Sequence, residues 1–418
     1  MVFLLIMIFL IVIYFSTKWY ENIFNPVTVF IGINILSLIL MFGLSGLNDK
    51  LSLNIWGIIF TMFVSYIIGI FLGSFKYKLS SKNKNFIKTS SRNNLKILII
   101  VYSILFDISA FYYLYKIIET FGLVGILSKL TEMNITFQSG EFNVGIFSLF
   151  LPICYALSIM ILYYIKFYKT HFSLYIQYLL CYIPAISPRR DTLFDLVFMS
   201  IAFVLLTTKK STSNEDLKKY FKIFTVGSGV IWFMDVSQNL LNKASNDSFK
   251  LFQIPIPSFL NEIVIYIAGN YPYLQKMNDL GKLQYEGFLV STFRLLNIYI
   301  YPIFGGSPNT RGIFELQLIN IGDDFNFLFN TIPMVYYFIK ESGMFFFIGF
   351  IVLGFLCQKF YMRYKETMSL GNLLILTYIC FLLVFSFRSY NIIYLSTFMI
   401  LVYMLLAYFI IDVEREIQ

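Results

Sequence analysis

Charged residues are scarce in this sequence. They make up 13% of the 418 residues, whereas hydrophobic residues make up 58%. Because an average soluble domain is about 25% charged, this balance disfavours a soluble globular protein. Cysteine and histidine are scarce too, with four and one copies. All four cysteines fall inside apolar segments, and their spacing is typical of neither a disulfide framework nor a metal site.

Several common functional motifs are also missing from the sequence. It has no phosphate-binding P-loop, no dinucleotide fingerprint and no nucleophile elbow, so chemistry driven by a soluble nucleotide is not expected. The net charge of +9 is of the sign that nucleic-acid binding requires. We nevertheless expect no nucleic-acid partner, because the positive residues are distributed as membrane topology distributes them.

Long apolar segments fill most of the chain. A membrane-spanning helix needs about 20 apolar residues, and no charge occurs between Glu21 and Asp49 or between Lys50 and Lys76. Nine further apolar segments are 2–15, 95–115, 143–165, 172–187, 193–207, 221–241, 344–357, 367–387 and 389–411. Since backbone amides in lipid must be satisfied within their own segment, we predict an all-α polytopic integral membrane protein. It would form one integral domain, residues 1–418, with about 11 transmembrane helices.

Two short, lysine-rich gaps set the predicted orientation. Segments 77–94 and 208–222 carry most of their charge as lysine, and short cytoplasmic loops collect positive residues. Counting crossings from these gaps places the N-terminus outside and the C-terminus in the cytoplasm. The long stretch 242–343 then lies outside.

The outer stretch 242–343 is neither polybasic nor a flexible linker. It holds seven positive and eight negative residues, and apolar and aromatic residues continue through it between prolines and glycines. We expect short amphipathic or re-entrant helices on the outer membrane face. A structureless loop of this length would be unusual in a folded protein, and such loops are usually functional.

Arginine is distributed differently from lysine. Five of the eight arginines lie at or above the predicted outer membrane surface, namely Arg189, Arg190, Arg294, Arg311 and Arg388. Guanidinium groups bind phosphate or carboxylate oxygens bidentately, so these residues are candidates for a lipid-linked phosphate or pyrophosphate. The alternative is that each pairs with a nearby carboxylate or extends to a headgroup. Arg190 is the strongest candidate, because free amides at the start of the next helix favour anions.

The main candidate general bases among the outer carboxylates are Glu341 and Glu262, with Asp323 and Asp324 as alternatives near Glu341 in sequence. Glu341 precedes a glycine at the outer end of an apolar segment, and Glu262 lies in the outer stretch. Either could accept a proton from a sugar hydroxyl, or each could be an ordinary solvated carboxylate. Tyr271 is a candidate for stacking on a sugar ring, although aromatic belts at the membrane interface are a common alternative.

Two aspartates fall inside apolar segments, where charges are costly and often functional. Asp235 lies in the predicted outer half of its segment and is a candidate substrate contact. Asp107 lies near mid-membrane and has no obvious partner in the neighbouring sequence. For both, a structural role beside a polar partner is the alternative.

The chain resembles the bacterial oligosaccharide repeat-unit polymerases of the Wzy type, which make O-antigen and capsule. The resemblance is loose and spread over most of the chain: the helix count, the large outer loop before the last three helices, the segment SPRRDTLFDLVF and the segment NTIPMVYYFIKESGMFFFIGFIVLG. An arginine followed by a glycine after ten residues, which occurs in some of these polymerases, is found at Arg294–Gly305 and Arg311–Gly322. The resemblance implies an architecture like that of the GT-C membrane glycosyltransferases.

The resemblance also implies a reaction on the outer face of the bacterial cytoplasmic membrane. A growing glycan would leave its polyprenyl pyrophosphate and join the sugar of an incoming lipid-linked repeat unit. Arg190, Glu341 and Glu262 are the implied catalytic residues, and the implied substrate-binding residues are Arg189, Arg294, Arg311, Arg388, Asp235 and Tyr271. No metal or cofactor is expected, because the pyrophosphate donor is already activated. A chain-length regulator protein is a further implied partner.

Two other functions stay open. A flippase or other transporter of the same lipid-linked sugars would explain the intramembrane aspartates, although the large loop breaks the two-fold symmetry that transporters often show. An O-antigen ligase would also suit the predicted architecture. Ligases are expected to use an external histidine, whereas His171 falls in a predicted cytoplasmic turn.

Overall fold

The structure is a computed structural model. It describes residues 2–47, 50–81, 86–123, 130–139, 142–168, 170–186, 191–207, 250–256, 258–287, 319–322, 328–329, 331–387 and 394–416.

The described residues form fourteen α-helices. In chain order they are α1 (Val2–Tyr20), α2 (Pro26–Gly43), α3 (Leu53–Ser81), α4 (Arg92–Phe121), α5 (Leu130–Ser139), α6 (Ile153–Phe167), α7 (Phe172–Leu180), α8 (Asp191–Thr207), α9 (Ser258–Ala268), α10 (Asn270–Asp279), α11 (Met334–Ser342), α12 (Phe347–Thr367), α13 (Leu370–Val384) and α14 (Leu395–Ile411). Three antiparallel pairs of short strands accompany them: β1 (Phe86–Ser90) with β6 (Asp412–Glu416), β2 (Lys250–Leu251) with β3 (Ile254–Pro255), and β4 (Ile319–Asn320) with β5 (Leu328–Phe329).

The predicted all-α, polytopic class is confirmed for the described residues. Ten of the eleven predicted apolar segments coincide with a helix, and the remaining one, 221–241, lies outside the described residues. Four helical spans there are long and apolar enough to cross a membrane: Pro26–Gly43, Leu53–Phe75, Arg92–Phe121 and Leu370–Phe387. The bent pair Met334–Phe345 and Phe347–Thr367 adds a fifth if it forms one span. Shorter apolar helices account for the rest, so the number of crossings stays a prediction.

Short helices were predicted in the stretch 242–343, and the described part of it contains three. They are α9, α10 and α11, of 11, 10 and 9 residues. Their position on the outer membrane face stays a prediction. The chain separates into two compact units. The first comprises Met1–Asn83, Asn246–Met362 and Leu382–Leu395, and the second comprises Lys84–Ser245, Arg363–Phe381 and Ser396–Gln418. The prediction of a single integral domain is not tested by this division.

In the first unit, α3 and α12 cross at glycines. A Cβ built on Gly69 would lie 2.1 Å from the carbonyl oxygen of Ile351, and one built on Gly354 would lie 2.3 Å from that of Tyr66. Small residues of this kind let helix backbones approach closely in membranes, where packing rather than the hydrophobic effect holds helices together.

The N-terminus of α2 is capped by Asn25, whose side chain accepts hydrogen bonds from the backbone amides of Val27 and Thr28,.

In the second unit, α6 packs between α4 and α8. The Lys166 ammonium donates to the Thr207 carbonyl oxygen at 2.9 Å and so caps the C-terminal end of α8,.

The start of α13 is held by a buried carboxylate from the C-terminal part of the chain. Asp412 accepts hydrogen bonds from the Ser369 hydroxyl at 2.7 Å and from the Gly371 amide at 3.2 Å, which suits the positive end of a helix.

Candidate functional site

At the end of the stretch 242–343, the chain changes direction between α11 and α12 at a charged segment. α11 ends at Ser342, a 3₁₀ turn covers Gly343–Phe345, and α12 starts at Phe347 at an angle of 116° to α11. Gly343 has a φ of +56°, a conformation that glycine adopts without the penalty other residues pay. Discontinuous helices in membrane proteins leave free backbone groups and commonly line binding sites.

A partly buried ion pair lies at this break. The Lys340 ammonium, on the last turn of α11, pairs with the Glu286 carboxylate. The backbone reinforces the contact, because the Glu286 amide donates to the Lys340 carbonyl oxygen at 2.8 Å. Lys340 also lies 5.2 Å from the centre of the Tyr336 ring, within cation–π distance. The lysine side chain is 8% exposed and that of Glu286 is 31% exposed, so only the carboxylate end of the pair is open to the surface.

Glu341 and Tyr271, two of the predicted site residues, are both deeply buried. Glu341 is 1% exposed, and it makes at least one polar or electrostatic contact. Tyr271 is 2% exposed, and its ring therefore has no face open to a sugar in this conformation. Burial raises the pKa of the Tyr271 hydroxyl above its usual value, and the hydroxyl donates to the Asn34 side chain at 3.1 Å.

Tyr285 is an exposed aromatic residue beside the break, as is Phe345 in the 3₁₀ turn itself. Tyr285 is 57% exposed and precedes Glu286 in the chain, and its Cβ lies 3.4 Å from the Cβ position of Gly343. A Cβ on residue 343 would thus be in van der Waals contact with it. The helix break, the Lys340–Glu286 pair and Tyr285 together form a surface with an open aromatic ring and a partly open carboxylate. We call this set the break site.

A second polar pair lies in the other unit. Asp107 of α4 accepts a hydrogen bond from the Gln177 side-chain amide of α7 at 2.7 Å. The sequence next to Asp107 offers no obvious partner, and its partner Gln177 lies 70 residues further along the chain. Tyr178 of α7 shares one hydrogen bond with Tyr182, two residues beyond the end of α7, and one with Ser200 of α8, each at 2.9 Å.

We expect Gln177→Leu to destabilise the second unit, because it leaves the Asp107 carboxylate without its amide partner in an apolar helix pair. The expected loss is about 1–3 kcal/mol, measured as a lower unfolding temperature of the purified protein in detergent. Replacing both residues, as Asp107→Leu with Gln177→Leu, should recover most of that loss. If Gln177→Leu unfolds like the wild type, the pair has no structural role.

The remaining predicted site residues lie outside the described residues. They are Arg189, Arg190, Asp235, Arg294, Arg311, Asp323, Asp324 and Arg388, together with the side chain of Glu262 on α9. Whether the arginines gather on one surface therefore stays a prediction. Within the described part of the chain, no three His, Cys, Asp or Glu side chains are placed to hold a metal ion.

Sequence analysis missed Glu286, Lys340 and Gln177. Lys340 was visible as a charge directly before Glu341 in an otherwise apolar segment. Glu286 was one of eight carboxylates in the outer stretch, and nothing local distinguished it, because its partner lies 54 residues away.

Comparison with known proteins does not extend this description. No protein-family model, no curated protein and no solved structure matches the chain. The break site must therefore be interpreted from its own residues.

Proposed function

We propose that this chain is a membrane glycosyltransferase that joins polyprenyl-pyrophosphate-linked oligosaccharide repeat units on the outer face of a bacterial cytoplasmic membrane. The observation that carries the proposal is the break site. It combines a partly exposed carboxylate, a buried ammonium group that holds it, and an exposed tyrosine ring at a broken membrane helix. These are the groups needed to bind a sugar and to accept a proton from one of its hydroxyls.

In the proposed reaction, the acceptor sugar stacks on Tyr285 and presents a hydroxyl to Glu286. The carboxylate takes the hydroxyl proton while the oxygen forms a bond to the anomeric carbon of the donor glycan. The bond from that carbon to the pyrophosphate breaks, and the leaving polyprenyl pyrophosphate keeps the electron pair. Lys340 positions the carboxylate through their ion pair.

In this reaction Glu341 supports the site and is not the group that accepts the proton. Its carboxylate is almost entirely inaccessible, so a substrate hydroxyl cannot reach it without movement of α11. We assign to the predicted outer arginines, with Arg190 first, the stabilisation of the pyrophosphate as it leaves, since guanidinium groups match phosphate oxygens.

Transport of the same lipid-linked sugars is a second candidate. It is favoured by the Asp107–Gln177 pair in α4 and α7, since polar pairs inside membrane helices often line transport routes. Broken helices are also typical of the substrate sites of transporters. The ligase alternative has no further support from the described residues, because His171 lies at the start of α7, away from the outer stretch in sequence.

A complementation experiment separates these functions. A strain lacking its repeat-unit polymerase is given the wild-type chain, Arg190→Ala or the control Arg363→Ala, whose arginine is predicted to face the cytoplasm. We expect long glycan chains with the wild type and the control, and single repeat units with Arg190→Ala at equal membrane levels. A wild-type chain that lengthens no glycan but relieves a build-up of cytoplasm-facing lipid-linked units would instead establish transport.

A further inference from the structure

A small polar cavity lies inside the first unit, beside the start of α11. It has space of about 10 Å³, which is enough for one water molecule,. Its polar lining comes from Asn34 of α2, Asn270 and Tyr271 of α10, and Ser386 of the 3₁₀ turn that follows α13. Apolar side chains, including Val335 of α11, close the rest.

Two of the polar side chains already satisfy each other. The Tyr271 hydroxyl donates to the Asn34 side-chain oxygen at 3.1 Å. The Asn34 amide donates to the Phe30 carbonyl oxygen at 2.9 Å and to the Ser386 hydroxyl oxygen at 3.5 Å. These bonds link α2, α10 and the turn at Ser386, and they leave oxygen lone pairs of Asn34 and Ser386 with room for another donor.

Asn270 is the unsatisfied residue of the cavity. It is 1% exposed, and its amide group donates to the Ser37 hydroxyl at 3.1 Å and to the Ile267 carbonyl oxygen at 3.3 Å. Its side-chain oxygen is buried and has no hydrogen-bond partner. Exchanging the amide nitrogen and oxygen would set two oxygens against each other at Ile267, so the present orientation is the favourable one.

We propose that this cavity binds one small guest beside the Asn270 oxygen, either a water molecule or a sodium ion. A water molecule would donate a hydrogen bond to that oxygen, and a sodium ion would be coordinated by it. A buried carbonyl oxygen without a donor costs free energy, and the cavity supplies the space and the additional oxygens that a guest needs. The guest ties the first residue of α10 to α2 and to the turn at Ser386. Since Val335 lines the same cavity, the guest also supports the α11 end opposite the helix break.

The proposal is tested by whether a cavity-filling substitution raises or lowers the unfolding temperature. Val335→Ile adds a methyl group that would displace the guest and leave the Asn270 oxygen without a donor. We expect it to lower the unfolding temperature by about 2 °C more in the wild-type background than in Asn270→Leu, where no oxygen remains to satisfy. Val29→Ile, at a buried position of α2 outside the cavity lining, is the control for added volume.

Two outcomes of this cycle would overturn the proposal: stabilisation of the wild type by Val335→Ile, as expected for a dry cavity, or equal shifts in both backgrounds. If Asn270→Leu does not fold, Asn270→Ala replaces it as the second background, since it also removes the unsatisfied side-chain oxygen.

The identity of the guest follows from two further measurements. Unfolding temperatures are compared in sodium chloride and in choline chloride at equal ionic strength. A sodium-dependent rise in the wild type that is absent from Asn270→Leu identifies a sodium ion. A density peak within hydrogen-bond distance of the Asn270 oxygen in a high-resolution structure, without sodium dependence, identifies water. The absence of both the peak and the sodium dependence would refute a bound guest.

Discussion

Gly69→Leu is expected to abolish folding of the first unit. The added side chain would begin 2.1 Å from the Ile351 carbonyl oxygen, and Gly354→Leu would meet the Tyr66 carbonyl oxygen at 2.3 Å. Both obstacles are backbone atoms, so α3 and α12 would have to separate rather than repack side chains. We expect each substitution to cost more than about 3 kcal/mol, with most of the folded protein lost.

The measurement is the yield of monodisperse protein in detergent, followed by its unfolding temperature. Gly57→Leu is the matched control, because Gly57 lies on the same helix and a Cβ there meets nothing within 4 Å. If Gly69→Leu and Gly57→Leu give the same yield and unfolding temperature, α3 and α12 do not cross at these glycines.

Glu286→Gln should lower the rate of glycosidic bond formation about 100-fold or more, because it removes the proposed proton acceptor while keeping the size of the side chain. Glu286→Asp should retain part of the activity, since it keeps the charge but withdraws the carboxylate from the acceptor. The rate is measured with purified protein in proteoliposomes and lipid-linked repeat units.

The control for Glu286→Gln is Glu119→Gln, which removes another carboxylate paired with a lysine. Its partner is Lys116 of α4, and the two side chains are 33% (Lys116) and 46% (Glu119) exposed. Glu119→Gln should leave the rate unchanged. Because Glu286 is partly exposed, its glutamine variant should fold, and its unfolding temperature verifies this. A folded Glu286→Gln protein with wild-type activity would remove Glu286 from the reaction.

The positions of the helices were largely predictable. A continuous apolar run in lipid must satisfy its own backbone, which leaves a helix as the local structure whatever surrounds it. For that reason each apolar segment that is described, from 2–15 to 389–411, overlaps an α-helix. Helix α14 is an example: its 17 residues carry no charge, and the prediction needed no tertiary information.

The break between α11 and α12 was less predictable. The sequence placed a carboxylate and a glycine at the outer end of an apolar segment, but it did not predict a change of direction of 116°. That angle depends on tertiary contacts. The Phe338 and Phe350 rings, on opposite sides of the break, pack with centres 4.9 Å apart, and Gly349 leaves space for the Phe338 ring.

The pairing of polar residues could not be predicted from local sequence at all. Gln177 reaches Asp107, and Lys340 reaches Glu286, only because helices or loops distant in the chain pack together. The burial of individual carboxylates could not be predicted from the local sequence either. Glu341 and Glu286 both looked like outer carboxylates in the sequence, yet the first is 1% exposed and the side chain of the second is 31% exposed. Accepting a proton from a substrate requires an exposed carboxylate, which of these two only Glu286 provides.

The most direct test of the proposed function is bond formation by the purified wild-type chain. Proteoliposomes containing only this protein are supplied with one kind of lipid-linked repeat unit, and the glycan products are separated by length. The proposal predicts a ladder of chains that grows by one repeat unit at a time and is accompanied by free polyprenyl pyrophosphate. Repeat units that cross the bilayer without any increase in length, or that remain unchanged, would contradict it.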